Sequence, residues 1–225
     1  MRIIVLGAAG VTGRRIVAEA RRRGHEVTAA GRTAGPEVDR VLDGRDVDAL
    51  TDAVRGHDAL VVATRVGPQA APEVPVLTRT AARVAHGSSV RLVVVGGAAV
   101  LAAPGTGIKA VDDPRWVPPR IRPIALASVS QWEALRDQPG DWALLAPAAL
   151  FAPAEELPSG AVGGYRLTGG ELPVIDGVSE LAMEDMALAV VDQAEAPTLR
   201  RDLSGMVGQA SPRGCDLNHT PADPS

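Results

Sequence analysis

Aromatic residues are nearly missing from this sequence: three Trp, one Tyr and one Phe make up 2% of 225 residues. Rings cannot fill the core, so Val, Leu, Ile and Ala must, and an apolar fraction of 46% is ample at this length. Cysteine occurs once, as Cys215. No disulfide can close within the chain and no multi-cysteine zinc site can form, so a reducing, cytoplasmic setting and no bound metal are expected. Long apolar runs are also missing. Ile3-Ile4-Val5-Leu6, directly after Met1-Arg2, is too short for a signal peptide or a membrane span, so no membrane partner is expected. Neither sign of charge dominates: 23 basic residues face 27 acidic ones, for a net charge of -4. That balance gives no electrostatic footprint for nucleic acid or an anionic bilayer.

What is present is an alternation. Short β-branched runs at 2–6, 27–30, 38–42, 58–63, 91–95 and 142–146 read as strands, and 11–23, 46–55, 73–86, 124–137 and 183–194 as helices. The strands are continuous apolar runs rather than alternating ones, as when both faces of a parallel sheet are covered. The pattern predicts an α/β Rossmann-like fold, a doubly wound parallel sheet with helices on both faces. One domain is expected over residues 1–206. A substrate-side region would come from 98–123, which holds five prolines, and from 150–180, with short strands at 165–168 and 172–175. The polar stretch 207–225 reads as a disordered tail.

The densest signal is Gly7-Ala8-Ala9-Gly10-Val11-Thr12-Gly13, which ends the first strand and opens the first helix. Gly7 suits a tight turn, Gly10 lets backbone approach a pyrophosphate, and Gly13 allows close helix-strand packing. Free amides at the helix start complete an anion site. The plain alternative is a structural turn that binds nothing. The strand, helix and second strand around it favour nucleotide binding. An NAD site would carry Asp or Glu at the end of the second strand; here the residues are Gly31-Arg32-Thr33. The Arg32 guanidinium suits a 2′-phosphate, so NADP(H) is the expected cofactor, the alternative being a solvated loop arginine.

The G-x-x-G-x-x-G spacing, with Gly24–Thr28, Arg32, Gly56–Ala59, Arg91–Gly97, Asp141-Trp142, Pro147-Ala148-Ala149, Gly164-Tyr165-Arg166 and Glu184-Asp185, resembles the atypical short-chain dehydrogenase/reductases. Within them it is most similar to the NAD(P)H-binding, NmrA-like and biliverdin reductase B-like group, over residues 1 to about 203. The resemblance implies that Gly7, Gly10, Val11, Thr12 and Gly13 line the pyrophosphate and Arg32 the adenosine phosphate. It sets Asp46 and Val47 near the adenine and Ala63, Thr64 and Arg65 beside the ribose and nicotinamide. Gly96 and Gly97 would lie at the end of the fifth strand, and Pro147, Ala148 and Ala149 beside the nicotinamide ring.

One departure bears on chemistry. Carbonyl-reducing relatives use a Tyr-x-x-x-Lys pair, in which lysine lowers the pKa of a tyrosine acid. This chain has one tyrosine, Tyr165, and one lysine, Lys109, far apart and in the wrong order. The segment after the fifth strand, Gly96–Leu101, holds no hydroxyl. Ser128 and Ser130 lie on the helix that would carry the pair, and read as ordinary helix residues rather than substrate contacts. His25, His57 and His86 suit turns. Trp116 and Trp132 suit core packing, and Glu184-Asp185 suit a helix start. The expected function is reduction of a small organic acceptor (flavin-, quinone- or enone-like) by NADPH, with an oligomeric state the sequence leaves open. The alternatives are an NADP(H)-binding sensor without turnover and a non-redox isomerase or cyclase.

Overall fold

In the computed structural model, which describes residues 1–64, 71–160 and 162–209, eight strands form one sheet in the order β3-β2-β1-β4-β5-β6-β10-β8. Its inner strands are β1 (Arg2–Leu6), β4 (Ala59–Val62), β5 (Arg91–Val95) and β6 (Trp142–Ala146), flanked by β2 (Glu26–Gly31) and β3 (Arg40–Val41) on one side. On the other side lie β10 (Asp202–Gly208) and β8 (Tyr165–Leu167). Every pairing is parallel except β10 with β8. A separate two-stranded ribbon pairs β7 (Leu150–Ala152) with β9 (Glu180–Ala182).

The period-two pleat splits each strand between two cores. Ile4, Leu6, Leu60, Val62, Leu92, Val94 and Leu144 face α2 (Val47–Val54), α3 (Val74–Gly87) and α4 (Arg122–Leu135). Ile3, Val5, Ala59, Val61, Val93 and Leu145 face α1 (Val11–Arg22) and α5 (Met183–Glu195). Burial on both faces is why these strands read as unbroken apolar runs, and the helices do lie on both faces of the sheet. Trp132 and Trp142 meet edge to face with centroids 6.0 Å apart. Trp116 packs against the same core.

Three sequence expectations need correction. The stretch 202–208 is a strand, so ordered chain runs past residue 206. The run Leu203-Ser204-Gly205-Met206 hides it because Ser204 and Gly205 interrupt the apolar pattern. A Cβ on Gly205 would meet Thr168 Oγ1 at 2.6 Å and the Glu171 carbonyl oxygen at 2.8 Å, so the crossing turn demands glycine there. Residues 210–225 lie outside the described part. The stretch 172–175 is not a strand: Pro173 lacks the donor a ladder needs, and only an isolated bridge from Ile175 to Val178 remains. The Pro-rich stretch 98–123 was expected on the substrate side. Leu101, Ala103, Ala110 and Val111 are buried, short 3-10 turns carry its backbone, and none of its residues lines the cleft described below.

Arg91 ties the start of β5 to the far end of α5. It donates to the Gln193 carbonyl at 3.3 Å, to the Leu199 carbonyl at 2.7 Å and to Asp141. Among the described residues no helix is long and apolar enough to cross a membrane.

Candidate functional site

The site begins with the glycine turn. Gly7 has φ +84°, and a Cβ there would stand 2.6 Å from the Ala63 carbonyl oxygen at the end of β4. Its amide and that of Ala8 donate to the Ala30 carbonyl at 3.0 and 3.2 Å, which locks the turn onto β2. A Cβ on Gly13 would run into the Gly7 carbonyl, so α1 rests directly on the turn. Gly10 is the N-cap of α1 and brings no side-chain cap, and the first turn of α1 holds no acid. The amides of Val11, Thr12 and Gly13 are left for an outside anion, in the positive field of the helix start.

Two pockets flank this turn. One, of about 240 Å³, lies over the ends of β1, β2 and β3 and is lined by Leu6, Gly7, Ala30, Arg32, Leu42, Gly44 and Leu77, among others. The other, of about 520 Å³, lies over β4 and β5 and is lined by Thr12, Ala63, Val95, Gly96, Ile124, Ser128, Gln131, Phe151, Pro153, Glu156 and Met183, among others. Gly10 and Thr64 line both. They form one cleft at the carboxyl ends of the strands, where the strand order reverses between β1 and β4.

The first pocket carries the charge. Arg32 is 61% exposed, and its Nη1 lies 2.9 Å from Glu73 Oε2. Arg45 Nη1 lies 2.6 Å from Glu73 Oε1. Arg45 also donates to both oxygens of Asp43 and holds that carboxyl down at about 2. One carboxylate, Glu73, thus sits between two guanidiniums at the pocket wall. The residues fit a dinucleotide: a pocket with two arginines, each paired to a carboxylate, at one end, an anion-ready glycine turn in the middle and a largely apolar pocket at the other end.

The expected site residues divide. Gly7, Gly10, Val11, Thr12, Arg32, Ala63, Thr64 and Gly96 line the cleft. Gly13 supports it from beneath, as does Gly97, where a Cβ would strike the Ser128 hydroxyl. Asp46 does not line it: its carboxylate caps α2, accepting from Asp48 and Ala49 amides at 3.0 and 3.1 Å. Val47 packs into the core beside it, and the neighbouring Asp43 and Arg45 line the first pocket. Pro147 and Ala148 are buried under the sheet end, the Ala149 amide donates to Ser179 Oγ at 3.0 Å, and none of the three lines the cleft. Arg65 lies outside the described residues. Ser128 enters the cleft, against the sequence expectation; Ser130 does not.

Residues the sequence reading missed are Arg45 and Glu73 at one end and Gln131, Phe151 and Met183 at the other. A signal existed for Gln131. With Ala127, Ala134 and Leu135 it falls on the buried stripe of α4, where an amide has no structural reason to be.

The polar groups set aside on sequence grounds have local partners. The Tyr165 hydroxyl donates to Asp192 Oδ2 at 2.6 Å, and burial together with that carboxylate pushes the phenol above its ordinary range. His25 Nε2 pairs with Glu195 Oε1 at 2.7 Å and His57 Nε2 with Thr28 Oγ1 at 2.9 Å. Arg15 Nε donates to Glu184 Oε1 at 2.5 Å, and the Gly163 and Gly164 amides donate to Asp185 at 2.8 and 3.0 Å.

The sheet order and the cleft are those of a Rossmann-type nucleotide-binding fold. Residues 7–197 match the NAD(P)H-binding family, and the chain belongs to it. It is 32% identical over 220 residues to the uncharacterized YwnB protein of Bacillus subtilis (strain 168), spanning 93% of this chain and all 100% of that protein. A crystal structure from Burkholderia pseudomallei, named a proposed exported protein, has a TM-score of 0.80 at 34% identity, covering 92% of this chain and 99% of its own. Another, a proposed NADH-flavin reductase from Streptococcus pneumoniae TIGR4, has a TM-score of 0.79 at 27% identity, covering 93% and 100%.

Proposed function

We propose that this protein is an NADPH-dependent reductase of a small, electron-deficient organic acceptor. The observation that carries the reading is the continuous cleft: a pocket with two arginines joins, across Gly10 and Thr64, an apolar pocket large enough for a ring system. The Streptococcus pneumoniae neighbour's name, an NADH-flavin reductase, supports transfer of a nicotinamide hydride to a flavin-like acceptor.

Arg32 and Arg45 would hold the 2′-phosphate, and the Val11–Gly13 amides the pyrophosphate. Ala63, Thr64 and Gly96 would flank the nicotinamide. Once bound, the reduced nicotinamide supplies a hydride. The protein's part is positioning and exclusion of water: Ile124, Phe151, Pro153 and Met183 wall the acceptor against the strand ends. Neither Tyr165 nor Lys109 lines the cleft. An acceptor that stabilises its own negative charge and takes its proton from solvent needs no side-chain acid, which favours flavin- or quinone-like acceptors over simple ketones.

The test is NADPH oxidation against a panel of flavins, quinones, enones and ketones, with cofactor binding followed separately by calorimetry. Turnover with the first two groups and none with ketones supports the reading. Tight NADPH binding without oxidation by any acceptor overturns it in favour of a sensor. Product formation without net oxidation of the cofactor would point to an isomerase.

A further inference from the structure

The second pocket contains one group that the fold does not explain. Gln131 on α4 is 97% buried, with 3% of its surface exposed, yet its carboxamide makes no hydrogen bond to any described residue. One turn earlier, the Ser128 hydroxyl is likewise unpartnered among the described residues and lines the same pocket. The amide's polar atoms open onto the cavity, so whatever fills the cavity supplies their partners, whereas Leu or Met would serve the buried stripe of the helix as well. The amide faces the cavity over β5, across from Thr12, Phe151 and Met183.

We infer that Gln131 is the residue that selects the acceptor, and that it reads an imide or lactam edge on a flat, uncharged ring. The inference rests on the reductase reading above and narrows it. A carboxamide presents an acceptor oxygen and donor N–H groups side by side in one plane. Its full complement is an adjacent N–H and C=O held cis in a ring. A quinone offers carbonyls alone and satisfies half of it. Ser128 adds a second donor or acceptor one turn away. The walls, Ile124, Phe151 and Met183, are apolar and suit a flat ring, and Glu156 is the one charged side chain among the described residues lining the pocket. An isolated carboxylate disfavours an anionic ring.

The probes are lumiflavin, its N3-methyl derivative and menadione. Binding is followed by fluorescence quenching with oxidised cofactor present and absent, and NADPH oxidation is measured separately. Wild type should bind lumiflavin roughly tenfold more tightly than the N3-methyl compound, the value of one lost hydrogen bond to a buried group. Gln131→Leu should bring that ratio to about one. Gln131→Met serves as a second apolar variant with a flexible side chain, and a melting curve confirms that each folds. Equal wild-type affinity for lumiflavin and its N3-methyl form overturns the inference, as does a ratio that survives both substitutions, which would mean that ordered water satisfies the amide. Menadione reduction without lumiflavin binding sinks the inference and leaves the reductase reading standing. Selective lumiflavin binding with no oxidation by any acceptor sinks the reductase reading and leaves the assignment of Gln131 standing.

Discussion

Glu73 occupies the position where a 2′-phosphate would be expected, bridging Arg32 at 2.9 Å and Arg45 at 2.6 Å. A phosphate dianion entering this pocket must take over both guanidiniums and push the carboxylate aside. Glu73→Gln removes the competitor and its repulsion. Arg32 is 61% exposed and Glu73 38%, so each pair is solvent-screened and worth about 0.2–1 kcal/mol. Losing both contacts gives roughly 1 kcal/mol, or about a three- to tenfold gain in NADPH affinity. NADH has no phosphate there and should change less than twofold. Arg32→Ala should weaken NADPH by about tenfold, since an exposed charged hydrogen bond sits at the low end of about 1.5–3 kcal/mol, and should spare NADH. High salt should shrink both effects. Titration calorimetry of wild type and both variants with each cofactor decides the matter. The reasoning fails if Glu73→Gln weakens NADH by tenfold and leaves NADPH alone. Glu73 would then accept ribose hydroxyls, and NADH would be the cofactor.

Other expectations follow from local geometry. Arg22 and Arg23 draw the Glu19 carboxyl down from 4.5 to about 2. Its contribution to stability is therefore present above about pH 4.5 and lost as pH falls toward 2, so Glu19→Gln should lower stability at neutral pH, change little near pH 2 and flatten the pH dependence between. Arg91→Met strands the Gln193 and Leu199 carbonyls and should cost about 3 kcal/mol, a drop of roughly 6–12 °C in Tm by calorimetry; a shift under about 2 °C refutes it. Tyr165→Phe should keep the turnover rate within about twofold and lose about 1 kcal/mol of stability with the Asp192 bond. A hundredfold loss of kcat in a folded variant would instead make Tyr165 an acid.

The sheet and the glycine turn were legible because their signals are local. Apolar runs such as Ala59–Val62 and the Gly7–Gly13 spacing carry their structural reasons within a few residues. What stayed hidden depends on distant chain. Gly205 is required by the turn at Thr168 and Glu171, and the β7–β9 pairing joins Leu150 to Glu180 across a long loop. Asp46 caps α2, and the turn before it brings Asp43 and Arg45 into the first pocket, which no local pattern announces. Arg45 and Glu73 meet only because the end of β3 and the start of α3 share one rim. Ser128 and Gln131 look like ordinary helix residues until the end of β5 is set against them. For Arg32, the position after β2 was readable, but not its engagement with Glu73.

The most direct test mixes the wild-type protein and NADPH with lumiflavin, without oxygen, and follows the nicotinamide and flavin absorbances together. The account predicts that NADPH is oxidised as flavin is reduced, one for one, at a rate that saturates with flavin. NADPH that binds but stays reduced, with lumiflavin and every quinone tried, would contradict it.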